Sequence, residues 1–210
     1  MTDVFAWAIF LASAGLLVTE PTAAQTPSPA SRPWDLYASA SAYVIEDDDD
    51  YLQPTLIADR DRLHLEARFN YEDRDTGSAW VGYNASFGED IAFEITPMLG
   101  VVFGNTDGVA PGFKGTLGWR NLSLYSETEY VFDADESRDS YLYTWTELTV
   151  SPTGRWRAGL VAQRTKTYET ELDIQRGILL GVSFERLELT GYVLNPDESP
   201  TVVVAIGAGL

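Results

Sequence analysis

Apolar and polar side chains alternate along the stretch Leu63-His64-Leu65-Glu66-Ala67-Arg68-Phe69-Asn70-Tyr71. Successive side chains of a β-strand point to opposite faces, so this pattern predicts an extended strand with one apolar and one polar face. The same alternation recurs from near Trp34 to Leu210, and the segments are joined in turn by short polar turns and longer acidic loops. The length of 210 residues suffices for one all-β domain.

The alternation predicts about twelve strands of roughly the 9–11 residues that a tilted membrane strand requires. They cover residues 34–45, 51–59, 63–71, 78–87, 91–103, 109–119, 122–132, 141–150, 156–167, 174–184, 187–194 and 201–210. We therefore predict an all-β fold: a single closed, antiparallel, up-and-down transmembrane β-barrel with short periplasmic turns and longer acidic external loops. Pro54 and Pro97 fall inside predicted strands, where each indicates a bulge near a rim or a misplaced strand end.

The N-terminal residues differ in composition from the rest of the chain. Residues 5–18 are apolar, and the small residues Thr22-Ala23-Ala24 follow in the pattern that signal peptidase prefers. Basic residues are absent from the first positions, which is unusual for an export signal. We predict a signal peptide over residues 1–24, a flexible Pro/Ser-rich linker over 25–33, and the barrel over 34–210, located in the cell outer membrane. The alternative is an apolar N-terminal anchor.

The charge distribution is uneven. The formal net charge is −18, and the longer loops carry most of the excess acid, offset there only by Arg74 and Arg138. An acidic rim excludes nucleic acid as a partner, because phosphate contacts need Lys and Arg. The chain has no cysteine, which excludes thiol catalysis, thiolate metal sites and disulfides. The acids of the loops are Glu46, Asp47 to Asp50, Glu72, Asp73, Asp75, Asp107, Asp133, Asp135, Glu136, Asp139, Glu169, Glu171, Asp173, Asp197 and Glu198.

The phase of each strand assigns side chains to the outer wall or the lumen. Outward positions next to the short turns are aromatic, and a second group of aromatics lies beside the loops, as expected for girdles at two membrane interfaces. The turn-side girdle comprises Phe87, Trp119, Trp156 and Phe184, and the loop-side girdle comprises Tyr71, Tyr130, Phe132 and Tyr141.

The opposite phase predicts a charged lumen. Its lining residues are Glu66, Arg68, Glu94, Lys114, Glu127, Glu129, Glu147, Arg157 and Glu188. Carboxylates in such excess over basic groups are costly in a dry interior, so either water fills the lumen or some glutamates are protonated. Two interpretations remain open: a narrow, hydrated conduit that favours cations, and an interior filled by ion pairs that only stabilise the barrel.

Three basic residues, Arg164, Lys166 and Arg176, form a patch near the loop-side rim. Strict alternation points them toward lipid, where long basic side chains extend to headgroups or to lipopolysaccharide phosphates. A bulge would instead turn them inward as a patch that attracts anions.

Catalytic and metal sites find little support in the sequence. His64 is the only histidine, it lies in the lumen phase, and the nucleophile motif G-x-S-x-G is absent. Glu127, Glu129 and Glu147 could form an acid–base pair, but channel linings use the same residues. The acidic run of residues 47–50 lacks the ligand spacing of an EF-hand. We predict no enzymatic activity, no cofactor and no dedicated metal site.

Two segments carry a resemblance to a known group. Residues 148–160 (LTVSPTGRWRAGL) and 189–197 (LTGYVLNPD) resemble strand–turn–strand pieces of the small, porin-like outer-membrane β-barrel proteins of Gram-negative bacteria. In this chain Leu210 replaces the terminal aromatic residue that the barrel-assembly machinery reads in that group. The resemblance covers nearly all of residues 34–210.

The alternation and the glutamates of the lumen predict a narrow passive channel for small polar solutes or cations. The alternatives are a non-conducting structural or surface barrel and, with less support, an outer-membrane lipid-modifying enzyme. The expected partners are outer-membrane lipid, lipopolysaccharide and the barrel-assembly machinery, and we expect a monomer.

Overall fold

A computed structural model describes residues 33–45, 49–135, 139–167, 173–197 and 199–210. The predicted signal peptide and nearly all of the predicted linker lie outside these residues. Over the described ranges, the chain has no helix that is long and apolar enough to cross a membrane.

The regular structure consists of 13 strand segments. They are β1 (Asp35–Ile45), β2 (Tyr51–Arg60), β3 (Leu63–Phe69), β4 (Thr76–Tyr83), β5 (Ala85–Phe87), β6 (Ala92–Gly104), β7 (Gly108–Trp119), β8 (Leu122–Asp133), β9 (Tyr141–Val150), β10 (Trp156–Thr167), β11 (Asp173–Phe184), β12 (Leu187–Leu194) and β13 (Thr201–Gly209).

The sheet closes on itself. Consecutive segments pair antiparallel except β4 and β5, which both pair with β6, and β1 pairs with β13, so the sheet has no free terminal strand. β4 and β5 are two parts of one strand interrupted at Asn84, which makes the barrel 12-stranded. The predicted all-β, closed, up-and-down barrel is confirmed.

The two prolines that interrupt the predicted strands lie where a missing N–H costs no ladder bond. Pro54 pairs with Ala40 of β1, but the pairing of β2 with β3 begins only at the next residue. Pro97 pairs with Phe113 of β7, and on its other side it faces the break between β4 and β5. Neither proline therefore removes a hydrogen bond that a neighbouring strand needs.

The outer wall is apolar. Large hydrophobic side chains are more than half exposed along its strands, for example Leu99 at 56%, Leu180 at 57% and Leu160 at 60%. An apolar surface of this extent is unusual on a water-soluble monomer and typical of a wall that faces lipid. The turn-side aromatics Phe87, Trp119, Trp156 and Phe184 all lie on this outer wall.

The loop-side girdle is only partly formed. Tyr130 and Phe132 pack against each other with ring centroids 4.6 Å apart, and Phe132 is half exposed. The prediction is wrong for Tyr71 and Tyr141, which pack against the buried clusters of the lumen. β3 ends at Phe69, and Asn70 adopts a left-handed backbone with φ of 56°, which breaks the alternation before Tyr71.

Candidate functional site

Arg68 occupies the centre of an ion cluster inside the barrel. Its side chain extends from the inward face of β3 and is 0% exposed. Nε lies 2.8 Å from Glu66 Oε1, Nη1 lies 2.9 Å from Glu129 Oε2, and Nη2 lies 2.6 Å from Glu127 Oε1. Residues from β3 and β8, far apart in the sequence, thus share one guanidinium.

Two aromatic rings lie close to this guanidinium. The Arg68 Cζ atom lies 4.2 Å from the centroid of Tyr71 and 4.7 Å from that of Trp80. The Trp80 indole itself lies across Gly100, where an added Cβ would approach it to 2.5 Å. Glycine at this inward position of β6 therefore makes room for the indole. The rings and carboxylates together fix Arg68 in one position.

Lys114 and His64 extend the Arg68 cluster. Lys114 Nζ donates to Glu66 Oε2 and lies 3.9 Å from Glu127 Oε2. His64 Nδ1 is 2.9 Å from Asp59 Oδ1, and its Nε2 is 3.0 Å from Glu66 Oε2. Both ring nitrogens thus face carboxylates, and the imidazole joins Asp59 to the ion cluster.

Glu72 also belongs to the Arg68 cluster, although the sequence places it among the solvated acids of the loops. Its side chain is 0% exposed, lies 3.6 Å from Arg68 Nη1, and accepts a hydrogen bond of 2.6 Å from Ser78. Burial raises the pKa of Glu72 above its usual value, and Arg68 opposes that rise. The prediction fails at Glu72 because the left-handed Asn70 turns the chain inward at this loop.

A second cluster forms around Glu147 of β9. Arg157 Nη1 donates to Glu147 Oε2 at 2.9 Å, Tyr192 donates to Oε1 at 2.9 Å, and Trp145 Nε1 donates to Oε1 at 3.0 Å. Arg157 also donates to Thr190 at 2.9 Å. Glu147 and Glu127 therefore belong to different clusters, each paired with its own basic residue.

A cavity of about 140 Å³ separates parts of these clusters. It has room for several ordered water molecules. Five of its ten lining residues are tyrosines, and the hydroxyl group of one of them, Tyr125, donates to Glu127 at 2.7 Å. The lining residues are Ser41, Tyr43, Gln53, Tyr71, Tyr125, Glu127, Tyr143, Trp145, Tyr192 and Val203.

Two predicted lining residues lie apart from the clusters. Glu94 on β6 is half-buried, and Glu188 on β12 is exposed; both are close to the turn-side mouth of the barrel. The sequence did not indicate that the lumen also contains an apolar group. This group comprises Trp80, Met98, Val102, Ala110 and Val131. It fills space that a wide pore would leave open.

The basic residues of the loop-side rim lie on the outer wall. Arg164 is exposed on β10, and Arg176 is exposed on β11, where its Nη2 donates to Asp197 at 2.9 Å. The side chain of Lys166 lies outside the described part of the chain. Across the residues that the structure covers, no group of three or more potential metal ligands is positioned to hold an ion.

The barrel is similar to solved porins. A structure described as KdgM porin superposes with a TM-score of 0.60 at 12% identity, covering 83% of this chain and 99% of that chain. A second, KdgM porin in complex with disordered oligogalacturonate, gives a TM-score of 0.58 at 11% identity over the same shares. No protein-family model and no curated protein matches the sequence. At this identity the likeness establishes the fold, a small porin-like barrel.

Proposed function

We propose that this chain forms a narrow passive channel in the outer membrane for small polar solutes or cations. The observation that carries the proposal is a closed barrel with an apolar outer wall and a charged interior, which contains a cavity of about 140 Å³ with room for several water molecules. A barrel whose only purpose was stability could fill its interior with apolar side chains at lower cost, because buried ion pairs rarely add stability. Ionised groups around hydrated space are typical of a selective passage.

The charge of the lumen supports a preference for cations. Its two clusters contain more carboxylates than basic groups, and Glu94 and Glu188 add negative charge at the turn-side mouth. One similar porin is described in complex with oligogalacturonate, a chain of acidic sugars. The lining of the present barrel would repel such a polyanion, so we propose cationic or uncharged solutes.

A second candidate is a non-conducting structural or surface barrel. The ion pairs of Arg68 with Glu66, Glu127 and Glu129 favour it, because they cross from β3 to β8 and narrow the interior. In this case the acidic loops would be the part of the protein that interacts with molecules outside the cell. The likeness to porins favours a channel over an enzyme, and we propose no catalytic role for His64.

The porin-like fold points to the outer membrane. We propose that the chain is exported through a cleaved signal peptide, is inserted by the barrel-assembly machinery, and acts as a monomer. Because β1 pairs with β13 within one chain, barrel closure requires no second copy.

Planar-bilayer recording tests the channel. We expect small conductance steps and a reversal potential that reports cation preference in a salt gradient, because lumen carboxylates attract counter-ions. The double variant Glu94→Gln and Glu188→Gln should lower that preference. The matched double variant Glu89→Gln and Glu185→Gln, at exposed turn positions, should leave it unchanged.

Two results would count against the channel. Folded protein that gives no conductance steps would support the non-conducting barrel, and anion preference would contradict the assigned role of the carboxylates. Folding is checked beforehand on a denaturing gel, on which an unboiled closed barrel migrates differently from the boiled chain.

A further inference from the structure

The outer wall contains an apolar groove near the loop-side rim, with a volume of about 590 Å³. Its lining residues include Thr146, Leu148, Leu160, Ala162, Ile178 and Pro196. The strand register explains its shape. Leu148, Leu160 and Ile178 form one row across β9, β10 and β11, and the small residues Thr146 and Ala162 lie in the next row toward the loops. A depression forms where short side chains lie beside long ones.

Arg176 lines this depression, and Arg164 lies one row nearer the loops. Arg164 pairs with Ile174, and Arg176 pairs with Ala162, so the two arginines are diagonal neighbours on the same outward face. Such neighbours have Cα atoms roughly 7–8 Å apart, which lets two long side chains reach one group. A guanidinium next to hydrocarbon is costly unless an anion accompanies it. A negative partner therefore stabilises the guanidiniums at this point of the wall.

Asp197 is a negative partner of only one of the two arginines, and a weak one. It bonds Arg176 at 2.9 Å, but the side chains of the two residues are 57% and 72% exposed, and exposed ion pairs contribute little. Among the side chains that the structure describes, which leave out those of residues 166–173, none is an acidic partner of Arg164. A stronger anion that reaches both guanidiniums can displace the aspartate.

We propose that this groove, called here the arginine groove, binds a phosphorylated, acylated glycolipid of the outer leaflet, the chemistry of lipopolysaccharide. The proposal rests on the outer-membrane placement proposed above. An acyl chain packs against Leu148, Leu160 and Ile178, and a phosphate accepts hydrogen bonds from Arg164 and Arg176. Guanidinium groups bind phosphate oxygens in a bidentate manner, which makes arginine the appropriate residue at this position.

The surroundings favour a lipid over a free phosphate. The loops above the groove are strongly acidic and repel an anion that has no other contact with the protein. Burial of an acyl chain in the groove adds a favourable hydrophobic contribution to the binding free energy, which a free phosphate lacks. The occupant must therefore present a phosphate and a hydrocarbon chain together.

The test measures lipid binding to the folded barrel in detergent by native mass spectrometry. The probes are bisphosphorylated lipid A, its dephosphorylated form, and inorganic phosphate. The double variant Arg164→Ala and Arg176→Ala is compared with Arg155→Ala and Arg186→Ala. The control removes the same charge from the turn ends of the same two hairpins.

We expect the double variant Arg164→Ala and Arg176→Ala to bind bisphosphorylated lipid A at least about tenfold more weakly than the control variant, since two charge-assisted contacts are lost. The two variants should bind the dephosphorylated lipid alike. Ala162→Phe, which fills the groove, should weaken binding of both lipids.

The proposal is overturned if the two double variants bind bisphosphorylated lipid A equally, if Ala162→Phe has no effect, or if inorganic phosphate binds as tightly as the lipid. Conductance is recorded on the same samples. If the wild-type protein shows no conductance steps, the proposed channel is contradicted, but the measured lipid binding still stands.

Discussion

Replacing Arg68 with methionine is expected to destabilise the barrel by about 3–5 kcal/mol, the cost of removing one partner from a buried ion pair. Methionine keeps most of the length and packing of the side chain but removes the charge. Glu66, Glu127 and Glu129 then remain close together, with Lys114 and His64 as the remaining basic neighbours. Their mutual repulsion and loss of hydrogen bonds account for the expected effect.

The free energy of unfolding is measured by denaturant titration in lipid vesicles, with tryptophan fluorescence as the signal. Arg176→Met is the matched control, because its ion pair with Asp197 is exposed to solvent and contributes little to stability. Adding Glu127→Gln to Arg68→Met should restore part of the loss, since neighbouring charges are coupled. If Arg68→Met and Arg176→Met lower the free energy of unfolding equally, water already solvates the cluster and Arg68 does not stabilise the barrel.

Leu180→Arg is expected to cost about 2–4 kcal/mol, the penalty for a basic residue on the lipid face near the bilayer midplane. Leu180 lies near the middle of β11 and is 57% exposed. In a water-soluble protein, an arginine at such an exposed position usually changes stability by less than about 0.5 kcal/mol. The size of the loss therefore distinguishes lipid from water as the environment of the wall.

Leu63→Arg provides the control for this substitution. Leu63 is also exposed on the outer wall, at 40%, but it begins β3 next to a turn, where the penalty falls to about 0–1 kcal/mol. Refolding into vesicles followed by denaturant titration gives both values. If both variants lose the same small amount, the outer wall does not face a bilayer.

The period-two alternation was sufficient to predict the fold. Because a strand shows its face directly in the sequence, residues 63–69 could be assigned an apolar outer face and a charged inner face without coordinates. The even number of strands and the alternation of short and long connections then implied closure. The lumen positions of Glu66, Arg68, Glu127, Glu129 and Glu147 follow from the same phase.

The partners of these residues could not be predicted in this way. Arg68 meets Glu129 across 61 positions of sequence, and that contact depends on how the barrel staggers and which rotamers fill its interior. Tyr71 and Glu72 point inward because one residue, Asn70, is left-handed. After such a residue the alternation of faces no longer applies until the next strand begins. Alternation alone does not reveal it.

Closure of the barrel is tested most directly by a disulfide across the seam between β1 and β13. The chain has no native cysteine, and Ala40 pairs with Ile206. Opposed residues have Cα atoms roughly 4.5–5.5 Å apart, within the range of a disulfide. The test variant is therefore Ala40→Cys with Ile206→Cys. The control variant is Ala40→Cys with Val202→Cys, in which the second cysteine is four positions out of register, roughly 13 Å along the strand and too far away for a disulfide. We predict that oxidation of isolated outer membranes cross-links Ala40→Cys with Ile206→Cys and leaves the shifted pair reduced, as judged by thiol labelling. An uncross-linked seam, or equal cross-linking of both pairs, would contradict the closed barrel.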